Sequence, residues 1–101
     1  MPQYLIRLTP ARVEMLTEGL TPAEEALVER HSEILEQLAI QGTLILYGRT
    51  QNNDERTFGI VVLETADETA AEAIIKNDPA VQGGVMKAEL FPYKVVFARA
   101  V

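Results

Sequence analysis

The sequence predicts an α+β fold, and three observations carry the prediction. Tyr4, Ile6 and Leu8 alternate with Leu5 and Arg7, the two-residue period of a strand. Thr21-Pro22-Ala23-Glu24 opens a stretch whose apolar residues recur at helical spacing. Two β-rich runs, Leu44-Ile45-Leu46-Tyr47 and Ile60-Val61-Val62-Leu63, flank a polar segment and lead into an alanine-rich helix and a last strand.

The first strand, about Tyr4 to Leu8, has one wholly apolar face. Thr9 to Leu20 lies between Thr9-Pro10 and Gly19-Leu20, and its Val13, Met15 and Leu16 suit either a short helix or a packed loop. At the next start signal Thr21 can accept from the Glu24 backbone N–H while Glu24 reaches back, and Pro22 stands where its missing N–H costs nothing. That helix should run to about Gln41 and stop at Gly42. Steps of about 100° per residue gather Leu27, His31, Ile34, Leu35 and Leu38 on one arc, with Glu25, Glu29, Glu33 and Glu36 opposite. The only histidine therefore lies inside the apolar stripe.

Thr43 to Thr50 is the second strand, Gln51 to Arg56 a polar hairpin loop, and Thr57 to Glu64 a third strand whose apolar run expects burial on both faces. The second helix is expected from about Ala66 to Lys76. Thr65 or Asp67 would cap it, and Ala66, Ala70, Ala73 and Ile74 would form its packing stripe. Asp78-Pro79 ends it, because a residue before proline disfavours the α region. Gln82-Gly83-Gly84 turns into a last strand over about Val85 to Ala98, where Pro92 argues for an edge or a bulge. The order β-α-β-β-α-β is the ferredoxin-like, split-βαβ arrangement, an antiparallel sheet with both helices on one face. The strands read as apolar on both sides, so a second subunit is the simplest cover for the free face.

The 101 residues suffice for one domain, spanning 1–101, and 48% hydrophobic residues support a real core. A domain of this size buries roughly two-thirds of its unfolded surface, which favours pairing with a second copy. Nine Lys and Arg against fifteen Asp and Glu, with no basic cluster, argue against nucleic acid and anionic membranes as partners. No apolar run approaches the ~18 residues of a membrane span. The opening Met-Pro-Gln-Tyr-Leu-Ile lacks the basic and apolar regions of a signal peptide, and with no cysteine the expected location is the cytoplasm. The absence of cysteine also excludes disulfides, thiolate nucleophiles and Cys-based metal sites. With one histidine and only carboxylates besides, no metal is expected. No glycine-rich loop joins a strand to a helix, so no nucleotide cofactor is expected either.

His31 is the one side chain whose ordinary titration range spans neutral pH. Its plain structural reading is a core histidine with one satisfied hydrogen bond. Against that reading, Leu or Met would fill the same stripe without burying a polar ring. Asp78 reads plainly as a turn aspartate before proline. If the two meet, the carboxylate orients the ring, fixes its tautomer and stabilises the imidazolium, leaving the other ring nitrogen as general base or acid. Ser32 points about 100° away from His31 on the helix, a poor place for a nucleophile it would activate. Arg49 can pair with an anionic substrate group or sit as a solvated strand-end arginine. Arg7 can line a pocket or pair with an acid. Tyr47 and Tyr93 can donate hydrogen bonds in a cleft or pack with wetted hydroxyls. Gly83-Gly84 can admit a ligand to the backbone or simply turn the chain.

An ordered set of motifs spans nearly the whole chain. A first-helix histidine precedes Gly42-Thr43-Leu44 and Leu46-Tyr47-Gly48. Phe58-Gly59-Ile60-Val61-Val62, an alanine-rich helix and Asp78-Pro79 follow, and Gly84 leads to Glu89-Leu90-Phe91-Pro92-Tyr93. In this set the chain resembles the YCII-related (YciI-like) family. The resemblance implies a dimeric α/β-barrel built on the ferredoxin-like fold and a His/Asp active site, carried here by His31 and Asp78. Family members often have Gly-Pro after the second strand, where this chain has Gly48-Arg49. The expectation from residues and resemblance together is a cofactor-independent enzyme. It would act by proton transfer on a small organic substrate, as a lyase, isomerase or hydrolase, with Arg49, Tyr47 and Arg7 as substrate-binding candidates. The alternative is a dimer that binds a small metabolite without turning it over.

Overall fold

A computed structural model describes residues 1–100. Its elements are β1 (Gln3–Pro10), α1 (Glu14–Thr17), α2 (Pro22–Ile40), β2 (Leu44–Arg49), β3 (Gly59–Glu64), α3 (Glu68–Lys76), α4 (Pro79–Gln82) and β4 (Met86–Tyr93). The four strands form one sheet in the order β2-β3-β1-β4, with every neighbouring pair antiparallel. β3 lies between β1 and β2, which is the split βαβ unit, and β4 returns to the outside of β1.

The pleat sorts the residues. Tyr4, Ile6 and Leu8 of β1 stand beside Leu63 and Val61 of β3, and Leu35 of α2 and Ala71 of α3 close over them. Both helices therefore cover one face of the sheet. Residues of the other parity face away, with Leu5 between Val62 and Phe91, and Arg7 between Ile60 and Glu89. Val62 is nonetheless buried, like Val61 and Leu63 beside it. A groove of about 890 Å³ runs there between Val62, Leu46 and Tyr93 and residues 94–100.

α2 begins with the expected capping box. Thr21 Oγ1 accepts from the Glu24 N–H and the Glu24 carboxylate accepts from the Thr21 N–H, an arrangement worth about 1 kcal/mol to a helix start. The helix ends at Gly42, whose φ of +80° is strained for any side chain with a Cβ. Arg12 grips the same Glu24 carboxylate, tying the segment before α2 to its first turn. The side-chain bond from Arg12 is the largest reason the Glu24 carboxyl is held down at about 2.

Of the two readings open for Thr9 to Leu20, the structure shows the short helix, α1, a single turn. Three expectations need correction. The second helix starts at Glu68, with Asp67 as its cap. Its inward arc passes through Ala70, Ala71, Ile74 and Ile75, so Ala66 and Ala73 are exposed. Beyond Asp78 the chain makes a further turn, α4, before the last strand. That strand ends at Tyr93 instead of Ala98. Tyr93 stands opposite Gln3 in the last register pair, and the next residue, Pro2, has no N–H to offer Lys94 and accepts from the Thr65 N–H instead. Pro92 lies on an edge strand, as its missing N–H requires.

Candidate active site

His31 projects from the middle of α2 toward the sheet and is 1% exposed. Asp78 is brought to it by the break between α3 and α4. Proline at position 79 holds Asp78 extended, at φ −73° and ψ 121°, and starts the next turn. The carboxylate then divides its work. Oδ1 accepts from the Ala80 N–H at 2.8 Å and caps α4, while Oδ2 lies 2.5 Å from Nδ1 of His31. A carboxylate in that place accepts a hydrogen bond from Nδ1–H, which keeps the ring proton on Nδ1 and leaves Nε2 as the nitrogen with the free lone pair in the neutral ring. Nε2 is buried and has no hydrogen-bond partner among the described residues. An unsatisfied buried polar atom costs about 1–3 kcal/mol, a cost that leucine at the same place in the stripe would avoid.

His31 also lines a cavity of about 230 Å³. The edge strand β2 supplies Tyr47, whose ring meets His31 edge-on with centroids 6.1 Å apart, and Arg49, two residues on and therefore on the same side of the strand. The sheet end supplies Thr9, Thr57 and Phe58, and Val28 comes from α2. α1 and the residues after it close the far side with Met15, Leu16 and Leu20, the segment that Arg12 fastens to α2. No group of three or more His, Cys, Asp or Glu among the described residues is arranged to hold a metal.

Of the residues singled out in the sequence, His31, Tyr47 and Arg49 share this cavity, with Asp78 behind the histidine. Arg7 is not brought there. It stands on the opposite face of the sheet, 3.8 Å from Glu89 and 5.2 Å above the ring of Phe58. Tyr93 also belongs to that opposite face, at the rim of the groove under residues 94–100. Gly83 and Gly84 turn the chain after α4, and a Cβ built on Gly83 would lie 2.4 Å from Cδ1 of Leu27, so its bareness also lets α4 rest on α2. The sequence reading missed the part of Met15, Leu16 and Leu20 in closing the cavity. Their apolar character in an otherwise polar segment was the signal available.

The YCII-related domain family model matches residues 4–94. Among solved structures, the chain is similar to the 5-chloro-2-hydroxyhydroquinone dehydrochlorinase TftG from Burkholderia phenoliruptrix AC1100, in complex with 2,5-dihydroxybenzoquinone. The TM-score is 0.58 at 13% identity, over 91% of this chain and 93% of that one. No curated protein matches the chain significantly. The described residues include no helix long and apolar enough to cross a membrane.

Proposed function

The chain belongs to the YCII-related domain family, and on that footing we propose that it is a cofactor-independent acid–base enzyme of lyase type acting on a small organic substrate. One observation carries the reading. A buried histidine has one nitrogen on a buried carboxylate and the other without a partner, on the wall of a cavity. His31 Nε2 takes a proton from the substrate. Asp78 holds the ring in the tautomer that can do so and stabilises the imidazolium that results. The pair of electrons left behind expels a leaving group, and the imidazolium returns its proton to the departing group or to water. At about 230 Å³ the cavity is below the usual 300–1,000 Å³ of drug-sized sites, which suits a substrate of one ring or less. The likeness to a dehydrochlorinase supports elimination as the first reaction to try.

The proposal includes a homodimer. Leu46, Phe91 and Tyr93 are half-exposed on the sheet face away from the helices, a surface that a second copy would cover.

The test is chloride release from 5-chloro-2-hydroxyhydroquinone and related small halogenated hydroxyaromatics by the wild-type chain and by His31→Ala. General acid–base catalysis contributes about 10²–10⁴-fold, so the variant should lose at least about a hundredfold in kcat with an unchanged circular dichroism spectrum. Turnover retained by His31→Ala would sink the acid–base reading. Tight binding of 2,5-dihydroxybenzoquinone with no chloride released from any substrate would leave the alternative, a metabolite-binding dimer.

A further inference from the structure

The charge on the cavity wall runs against the charge of the chain. The protein has fifteen Asp and Glu against nine Lys and Arg, a formal charge of −6. None of those carboxylates lines the cavity, whose ionisable lining is His31, Tyr47 and Arg49. The ion pairs among the described residues involve Arg7, Arg12, Arg56 and His31, and none engages Arg49. An exposed arginine on the border of a cavity, without an acid of its own, has five donors left for whatever enters.

The strand fixes where those donors lie. Tyr47 and Arg49 stand opposite Val61 and Gly59 on the helix-facing side of the sheet. Arg49 is thus about 7 Å further along β2 than the tyrosine that abuts His31. Gly59 keeps the ground beside it clear: a Cβ there would come within 3.2 Å of the Gly48 carbonyl oxygen and 3.7 Å of Arg49 Cβ. The apolar remainder of the wall, Met15, Leu20 and Val28 among it, suits an uncharged body.

We infer that the cavity selects a small organic oxyanion, a carboxylate or an enolate-type oxygen, by pairing it with the guanidinium of Arg49 while the apolar body extends toward His31. This deepens the acid–base reading by naming the substrate class, and it rests on that reading for the role of the site. Arg49 stands where the resemblance leads one to expect proline, so the selectivity belongs to this chain and not to its fold.

Binding tests the inference apart from turnover. Benzoate and 4-nitrophenolate are titrated by calorimetry against their neutral counterparts benzamide and 4-nitroanisole, in a buffer that ionises both acids. The wild-type chain should bind at least one anion about tenfold more tightly than its neutral partner, with the preference shrinking as salt is added. Arg49→Gln should remove the preference, and Arg49→Lys should restore part of it. Equal binding of both anions and their neutral partners, or a preference that survives in Arg49→Gln, overturns the inference. So does a preference that vanishes in His31→Gln but persists in Arg49→Gln, because the anion then belongs to the imidazole. Turnover retained by His31→Ala would bring down the acid–base reading while leaving an Arg49-dependent preference in place, so the two failures are separable.

Discussion

Asp78 spends its two oxygens on two different bonds, one to the Ala80 N–H and one to His31 Nδ1, and that division makes an isosteric change informative. Asparagine has one acceptor oxygen. In Asp78→Asn that oxygen should keep the cap on α4, which turns the amide NH₂ toward Nδ1 and forces the ring proton onto Nε2. The expected result is a switch of tautomer in the ¹⁵N spectrum of the single histidine, with activity lost and stability changed by no more than about 1 kcal/mol. An unchanged Nδ1–H signal would show that the carboxylate does not set the tautomer. At this scale the sequence was informative about candidates and silent about meetings. His31 was legible because a polar ring interrupts a Leu and Ile stripe, but its partner lies 47 residues away. Their contact depends on the turn at Pro79, which no periodicity announces. Arg7 shows the opposite case. The two-residue period already sets it with Leu5, apart from the face of Tyr4, Ile6 and Leu8, and of its two readings the structure shows the pairing with an acid, Glu89.

Among the elements, α4 has four residues and no stability of its own, so its position is set by what it rests on. Gly83, its C-terminal cap, lies against Leu27 of α2 so closely that a methyl group would also stand 3.1 Å from the Pro79 carbonyl oxygen. Gly83 has an ordinary φ of −82°, so any penalty for alanine comes from crowding and not from the backbone. Gly83→Ala should destabilise the fold by about 1–3 kcal/mol and lower activity with it, because α4 carries the cap Asp78 away from α2. Leu27→Ala introduced beside it should recover activity, a coupling that denaturant melts and rates on the four-member mutant cycle would read. The longer helix was legible because cap, proline and stripe agree in Thr21 to Leu38. The turn at Pro79–Gln82 was not, because four residues are too few to display a period.

For the whole molecule, the sheet is the frame and its two faces have different fates. The helical face is closed by Leu35 and Ala71, whereas the other carries Leu46 and Phe91 at 51% and 42% exposure. If a second copy covers that face, sedimentation should give a dimer for the wild type, and Phe91→Asp should give a folded monomer. A wild-type monomer at micromolar concentration would remove the homodimer from the proposal. The topology was legible because four apolar runs and two helical stripes in this order leave few ways to pack. The end of the last strand was not. Val95, Val96 and Phe97 look like a strand, but a strand needs a neighbour, and β1 has run out. The rims of the sheet have a further consequence. On one, β2 is bulged between Leu44 and Leu46; on the other, Pro92 of β4 offers no N–H. Neither rim is a flat, unbroken row of donors and acceptors on which another chain can continue the ladder. Both rims therefore disfavour edge-to-edge growth of the sheet into filaments, although one face carries exposed apolar side chains.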